Sequence, residues 1–341
     1  MTKNYTHSFL VLILVLIVCF FANISLGSVS IPFKVVFNSL FGNPTEQETW
    51  QFIIKNYRLP KALTAIIVGS GLGISGLLMQ TLFRNPLAGP FVLGISSGAS
   101  LGVALVILGS GVFGGVLASL LVSKWGIVIA ASLGSFLVLL AVLMVSLKVR
   151  DTMAILIIGL MFASITTAIV SVLSYFGSAE QLQQYIFWGF GSLGNLSWED
   201  LGILFLIYAL GIIMSILAIK SLNTLLLGEY YAKSLGLNLK QSRLIIIIAT
   251  SLLAGTITAF TGPIAFIGLA IPHLTRQVFN TSNHKILLPA VFLFGAIVML
   301  ICDSIAQLPN SDFTLPINAI TSLVGAPVVI WLLVRKRKIV F

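Results

Sequence analysis

Charged side chains are scarce in this sequence. Lys and Arg number 19 and Asp and Glu 9 in 341 residues, 8% of the chain against 58% hydrophobic. Soluble domains carry about 25% charged residues, so a water-soluble globule is excluded, and the mean hydropathy of +1.10 agrees. Cysteine is nearly absent. Cys19 and Cys302 lie in separate apolar runs, which suits packing and excludes a disulfide framework or a thiolate metal site. The three histidines, His7, His273 and His284, show no ligand spacing to any cluster of Cys, Asp or Glu, so no bound metal or other cofactor is expected. No GxxxxGK[ST] phosphate loop occurs, which removes that route to ATP hydrolysis. No Ser, His and acid set suggests an intramembrane protease. The alternating strands of about ten residues that build membrane β-barrels are absent too.

Long apolar runs are what the sequence has. Crossing the hydrocarbon core takes about 20 apolar residues in a helix, and runs of that order cover 9–26, 62–83, 87–120, 125–147, 152–176, 201–219, 244–275, 286–307 and 313–334. An all-α polytopic membrane protein follows, because a helix satisfies its own backbone groups in lipid. The first run, after Lys3, also has the outline of a secretory signal peptide. It is read as a span because it is long enough to cross.

The run 244–275 is too long for one helix and is interrupted by "TGP" at Thr261–Pro263. Divided there, the chain has ten spans and both termini on one side. Lys3, Arg84, Lys148, Arg150, Lys220, Lys233, Lys240, Arg243, Arg276, Lys285 and the tail "RKRK" at 335–338 then share that side with only Asp151 and Glu229. The other side holds Lys34, Lys55, Arg58, Lys61 and Lys124 with the remaining acids outside the spans. Positive charge marks the cytoplasm, so both termini are expected there. The spans are expected at 9–26, 62–83, 91–115, 125–147, 152–176, 201–219, 244–260, 262–275, 286–307 and 313–334, in a single transmembrane domain. The net charge of +10 is a topology signal on this reading. No basic patch interleaved with aromatics suggests nucleic acid.

One stretch, "SGLLMQTLFRNPLAGPFVLGISSGAS" at 75–100, puts an arginine, an asparagine, prolines and glycines into this apolar background. Pro and Gly at membrane depth signal helix breaks buried in protein or lining a cavity. A tight hairpin accounts for Gly89 and Pro90. It does not require Gln80, Ser96, Ser97 or Ser100, whose small polar groups suit a wall along which a polar solute passes. Pro86 lacks a backbone donor and biases Asn85 away from helix.

The stretch "RLPKALTAIIVGSGLGISGLLMQTLFRNPLAGPFVLGISSGAS" from Arg58 resembles the signature of the FecCD family of ABC-importer permeases. Three further blocks resemble it in the same order: "LLLGEYYAKSLGLN" at 225–238, "GPIAFIGLAIPHLTR" at 262–276 and "LPINAITSLVGAPVVIWLL" at 315–333. The resemblance implies ten spans in a bacterial cytoplasmic membrane and a homodimer, or a pair with a close paralogue. It also implies two ATP-binding cassette ATPase subunits, which carry the ATP and Mg, and an extracytoplasmic substrate-binding protein. The cargo implied is siderophore-bound iron or haem, with cobalamin as the alternative. Carried over by position, Arg58 and Lys61 would receive the binding protein, and Asn85, Pro86 and Leu87 would form a cytoplasmic gate. The segment 221–240, with Gly228, Glu229, Leu235 and Gly236, would couple to the ATPase. Gln307, Thr314 and Asn318 depart from the family pattern. A secondary transporter driven by an ion gradient is the rival. It would place ionisable residues mid-membrane, where this sequence offers Asp303 alone, towards the outer end of its span.

Overall fold

The computed structural model describes residues 5–29, 31–41, 47–110, 120–146, 152–308, 311 and 313–334. Lys3, Lys148, Arg150, Asp151 and the tail 335–338, on which the expected topology leans, lie outside them, as do residues 111–115 of the third expected span. Every regular element among the described residues is helical.

The chain opens with α1 (Thr6–Ser25), a 20-residue apolar helix, and the short α2 (Phe33–Leu40). Next, α3 (Glu48–Ile53) continues through a π turn at Ile54–Arg58 into α4 (Leu59–Phe83). Glu48–Phe83 is therefore one helical path of 36 residues. It starts well before the expected span at 62, because polar residues such as Glu48, Gln51 and Asn56 are compatible with helix yet invisible to hydropathy. Then come α5 (Ile95–Ile107), α6 (Lys124–Ser146) and α7 (Thr152–Phe176). The amphipathic α8 (Ala179–Gly189) lies outside every expected span. It is started by a capping box in which Ser178 Oγ accepts from Gln181 N and the Gln181 side chain accepts from Ser178 N.

After it stand α9 (Trp198–Leu217), α10 (Ile219–Leu225) and α11 (Glu229–Ser234). The chain finishes with α12 (Leu239–Thr261), α13 (Ile267–Phe279), α14 (His284–Ala306) and α15 (Ile317–Val334). The break between α12 and α13 falls at "TGP", where Gly262 has φ +75°. Seven of these paths are long and apolar enough to cross a membrane by length and composition. The three other expected spans coincide with α5 and α13, of 13 residues each, and with α15.

The helices fall into two compact units. One comprises Met1–Leu77, Ser192–Ala209 and Ile264–Phe341, and the other Leu78–Gly191 and Leu210–Pro263. In the first, α1 lies along α14, with Leu12, Phe279, Ala290 and Ile297 forming a core that Tyr5 and Phe9 cover. There α4 and α14 meet at Gly69 and Gly295, whose backbones leave no room for a Cβ on either. Small residues let membrane helices approach this closely. In the second, α5 and α6 meet the same way at Gly98 and Gly134, beside a core of Ala99, Val103, Ile107, Val128 and Ala131. The membrane-length windows of α1 and α7 are only 17% buried, against 89% for the path ending in α4. The first two present their sides outward and the last is a central element.

Candidate functional site

In the first unit a polar cluster sits where α1, α4 and α14 end. Asp303, with a side chain 2% exposed, forms an ion pair with Lys61 Nζ at 3.1 Å. Its other oxygen accepts from Asn23 Nδ2 at 2.9 Å and from Gln307 Nε2 at 2.7 Å. Asn23 also donates to Leu300 O and Ser304 Oγ. The one intramembrane acid of the sequence is thus a fully engaged acceptor. Gln307, where the resembling family has arginine, is one of its donors.

Arg58, the last residue of the π turn, donates to Ile24 O at 2.8 Å and Ser25 O at 2.9 Å, and also to Val29 O. These carbonyls belong to the end of α1 and the chain just after it, where a helix leaves acceptors unsatisfied. Arg58 and Lys61 stand one turn apart, and each has an internal partner. Asn318, another departure, accepts from Ala265 N at 3.0 Å and so fixes the chain entering α13. Thr314 is in the stretch that leads into α15.

The second unit holds the remaining expected residues. At the end of α4, Arg84 N donates to Thr81 O and Asn85 N to Gln80 O, the paired bonds of a Schellman cap. The cap demands a left-handed residue, and Arg84 supplies it with φ +47°. Asn85 Oδ1 then accepts from Leu87 N at 2.9 Å, an Asx turn that carries the chain over Pro86. Leu87 stands 46% exposed at the tip.

Nearby, α11 is bounded by Gly228 at φ +97° and Gly236 at φ +84°. Glu229 pairs with Arg243 at 2.6 Å and so ties α11 to α12. Tyr230 is 91% exposed, and Tyr231 and Leu235 are exposed beside it. The guanidinium of Arg84 lies 3.4 Å from where a Cβ on Gly228 would stand. The structure therefore brings the Arg84 side chain, at the start of the Asn85–Leu87 turn, against Gly228.

The expected wall residues divide. Gln80 is fully buried and faces protein. The Ser96 hydroxyl is buried with no hydrogen-bond partner, Ser97 is half-buried, and the Ser100 hydroxyl bonds the Tyr185 hydroxyl. A hydroxyl row that the sequence reading passed over lies on α7: Ser164, Thr167 and Ser171 are all exposed. Each satisfies itself by donating to the carbonyl four residues back. Their 3- and 4-residue spacing was visible inside an otherwise apolar run. Among the described residues no three His, Cys, Asp or Glu side chains come together in a way that could hold a metal ion.

Seven apolar helices of membrane length, with helices broken at Pro and Gly between them, define a multi-pass membrane protein. A model of the FecCD transport family matches residues 15–335, and the chain belongs to that family. It is 38% identical over 290 residues to the vitamin B12 import system permease protein BtuC of Klebsiella pneumoniae subsp. pneumoniae, covering 84% of each chain. It is 34% identical over 330 residues to the hemin transport system permease protein HmuU of Yersinia pestis, covering 96% of this chain and 95% of that one. A solved structure described as an inward-facing conformation of a metal-chelate type ABC transporter superposes with a TM-score of 0.83 at 32% identity. That match covers 98% of this chain and all of the other.

Proposed function

We propose that this chain is the transmembrane permease subunit of an importer that brings a metal chelate through the bacterial cytoplasmic membrane. The iron chelates, siderophore-bound iron and haem, are the first cargo to test. Cobalamin is the alternative, and relatives named for B12 and for hemin stand at similar identity. The chain is a transport component and not an enzyme. ATP is hydrolysed by two partner ATPase subunits.

The rest of the reading follows the same lines. The subunit crosses ten times with its termini in the cytoplasm, and pairs with a second copy or a close paralogue. The hydroxyls of α7, with Ser97 and Ser100 of α5, face the path. Asn85, Pro86 and Leu87 close it from the cytoplasm. Arg58 and Lys61 mark the surface that receives the extracytoplasmic binding protein, with their charges held in place by α1 and Asp303.

The observation that carries this reading is α11. Seven residues between two glycines of positive φ, α11 and its C-cap Leu235, present Tyr230, Tyr231 and Leu235 to solvent, in a family whose members transport. An exposed aromatic and aliphatic knob of this size marks a protein contact, and a helix held by Glu229 and Arg243 presents it rigidly. Coexpression with the cognate ATPase subunit tests it. The wild-type permease is expected to co-purify with the ATPase, and Leu235→Asp to lose it while remaining folded in the membrane. An intact complex carrying Leu235→Asp would refute the assignment.

A further inference from the structure

A cavity of about 360 Å³ opens in the first unit, where α4, α9 and α14 diverge. Leu63, Ile66, Leu201, Phe205 and Phe292 form its walls. On α9 the lining residues Trp198, Leu201, Gly202, Phe205 and Tyr208 share one face from 198 to 208, about 15 Å of helix. At the inner end the Tyr208 hydroxyl is hydrogen-bonded to Ser70 Oγ at 2.7 Å, so the groove ends without an open polar group. Three side chains mark the other end. The Trp198 indole donates to Lys55 O at 3.0 Å, and Lys55 and Glu199 are both exposed. Tryptophan and lysine at the end of an apolar helix mark the membrane interface.

Gly202 is the informative residue. A glycine inside a helix is less stable than alanine by about 1 kcal/mol, and at Gly69, Gly98, Gly134 and Gly295 a neighbouring backbone leaves no room for a Cβ. At Gly202 no atom beyond its own stretch of helix lies within 4 Å of the place a Cβ would take. The space in front of it is the groove.

We propose that this groove holds one acyl chain of a bound phospholipid, with the headgroup between Lys55 and Glu199. The walls accept only an apolar occupant, and the lining runs about 15 Å along α9, a length an acyl chain can follow. The opposite charges at the mouth match a zwitterionic headgroup, phosphate towards Lys55 and ammonium towards Glu199. The glycine leaves room that the protein does not itself fill. Nothing in this inference depends on the cargo or on the ATPase.

Native mass spectrometry of the full-length chain, purified in mild detergent and exposed to phosphatidylethanolamine, tests it. The wild type is expected to retain a phospholipid through detergent exchange. Gly202→Leu, which fills the groove, is expected to lose it while keeping its oligomeric state. Ile66→Phe fills the groove from the opposite wall and is expected to behave in the same way, so the test survives a folding failure of either variant. Equal retention by wild type and variants would overturn the proposal. So would a changed oligomeric state with unchanged lipid, which would assign the groove to a protein partner.

Discussion

Asp303 and Lys61 form a buried pair at the place where the binding protein is proposed to dock. A carboxylate this buried is tolerable only with its acceptors filled, and removing one partner of a buried ion pair costs about 3–5 kcal/mol. Asp303→Leu leaves the Lys61 ammonium without its anion and Gln307 without its acceptor. It is expected to lower thermal stability in detergent by an amount in that range. The double variant Lys61→Met with Asp303→Leu is expected to regain most of the loss, because no charge is then left unpaired. In the double variant the cation is absent from a near-native fold, so stimulation of the ATPase by the binding protein reads the docking role separately from stability. Equal stability of wild type and Asp303→Leu would show that the pair does not hold these helices together. Arg58 is a second case. Its planar fork reaches three carbonyls, which an ammonium cannot reproduce. The sequence marked Arg58, Lys61, Asp303 and Gln307 separately, through motif and departure. It gave no sign that three of them share one cluster, since a pairing across more than 200 residues leaves no periodic trace.

At the scale of elements, apolar runs located each of the seven helices long enough to cross a membrane, because in lipid the length of a run and the span of a helix are set by the same thickness. What stayed illegible was polar helix. The turns before Arg58 and the amphipathic α8 are held by a π turn and a capping box, which hydropathy does not weigh. The turn after α4 was legible as a break from Pro86 and as a motif from "NPLAG". Its Schellman cap was not, since that cap normally uses glycine and here uses Arg84 at φ +47°. An L-residue in that conformation carries a cost of roughly 1–2 kcal/mol, tolerated where its side chain is needed. Arg84→Gly would relieve the backbone and remove the guanidinium from Gly228. The expected outcome is unchanged or raised thermal stability with reduced coupling of ATP hydrolysis to transport. Stability and coupling both unchanged would mean that the turn and α11 are independent. Leu87→Ala is expected to make proteoliposomes leak small solutes without ATP, if this exposed knob closes the path. Liposomes as tight as wild type would leave the turn as a helix terminator.

For the whole molecule, the scarcity of charge fixed the solvent, and four ordered motif blocks pointed to the family that the matching model covers over residues 15–335. Cargo is legible at neither level. The proposed path, faced by hydroxyls and aliphatic groups, would have few directional contacts with which to tell one chelate from another. The division of labour proposed here is that the binding protein chooses and the permease conducts. ATP-driven uptake into proteoliposomes, reconstituted with the cognate ATPase and binding protein, measures this most directly. Labelled ferric siderophore, haem and cobalamin are each offered in turn. Accumulation of one of them that requires ATP, the binding protein and an intact Leu235 is the predicted result. Accumulation that proceeds without the ATPase and follows an imposed ion gradient would contradict it.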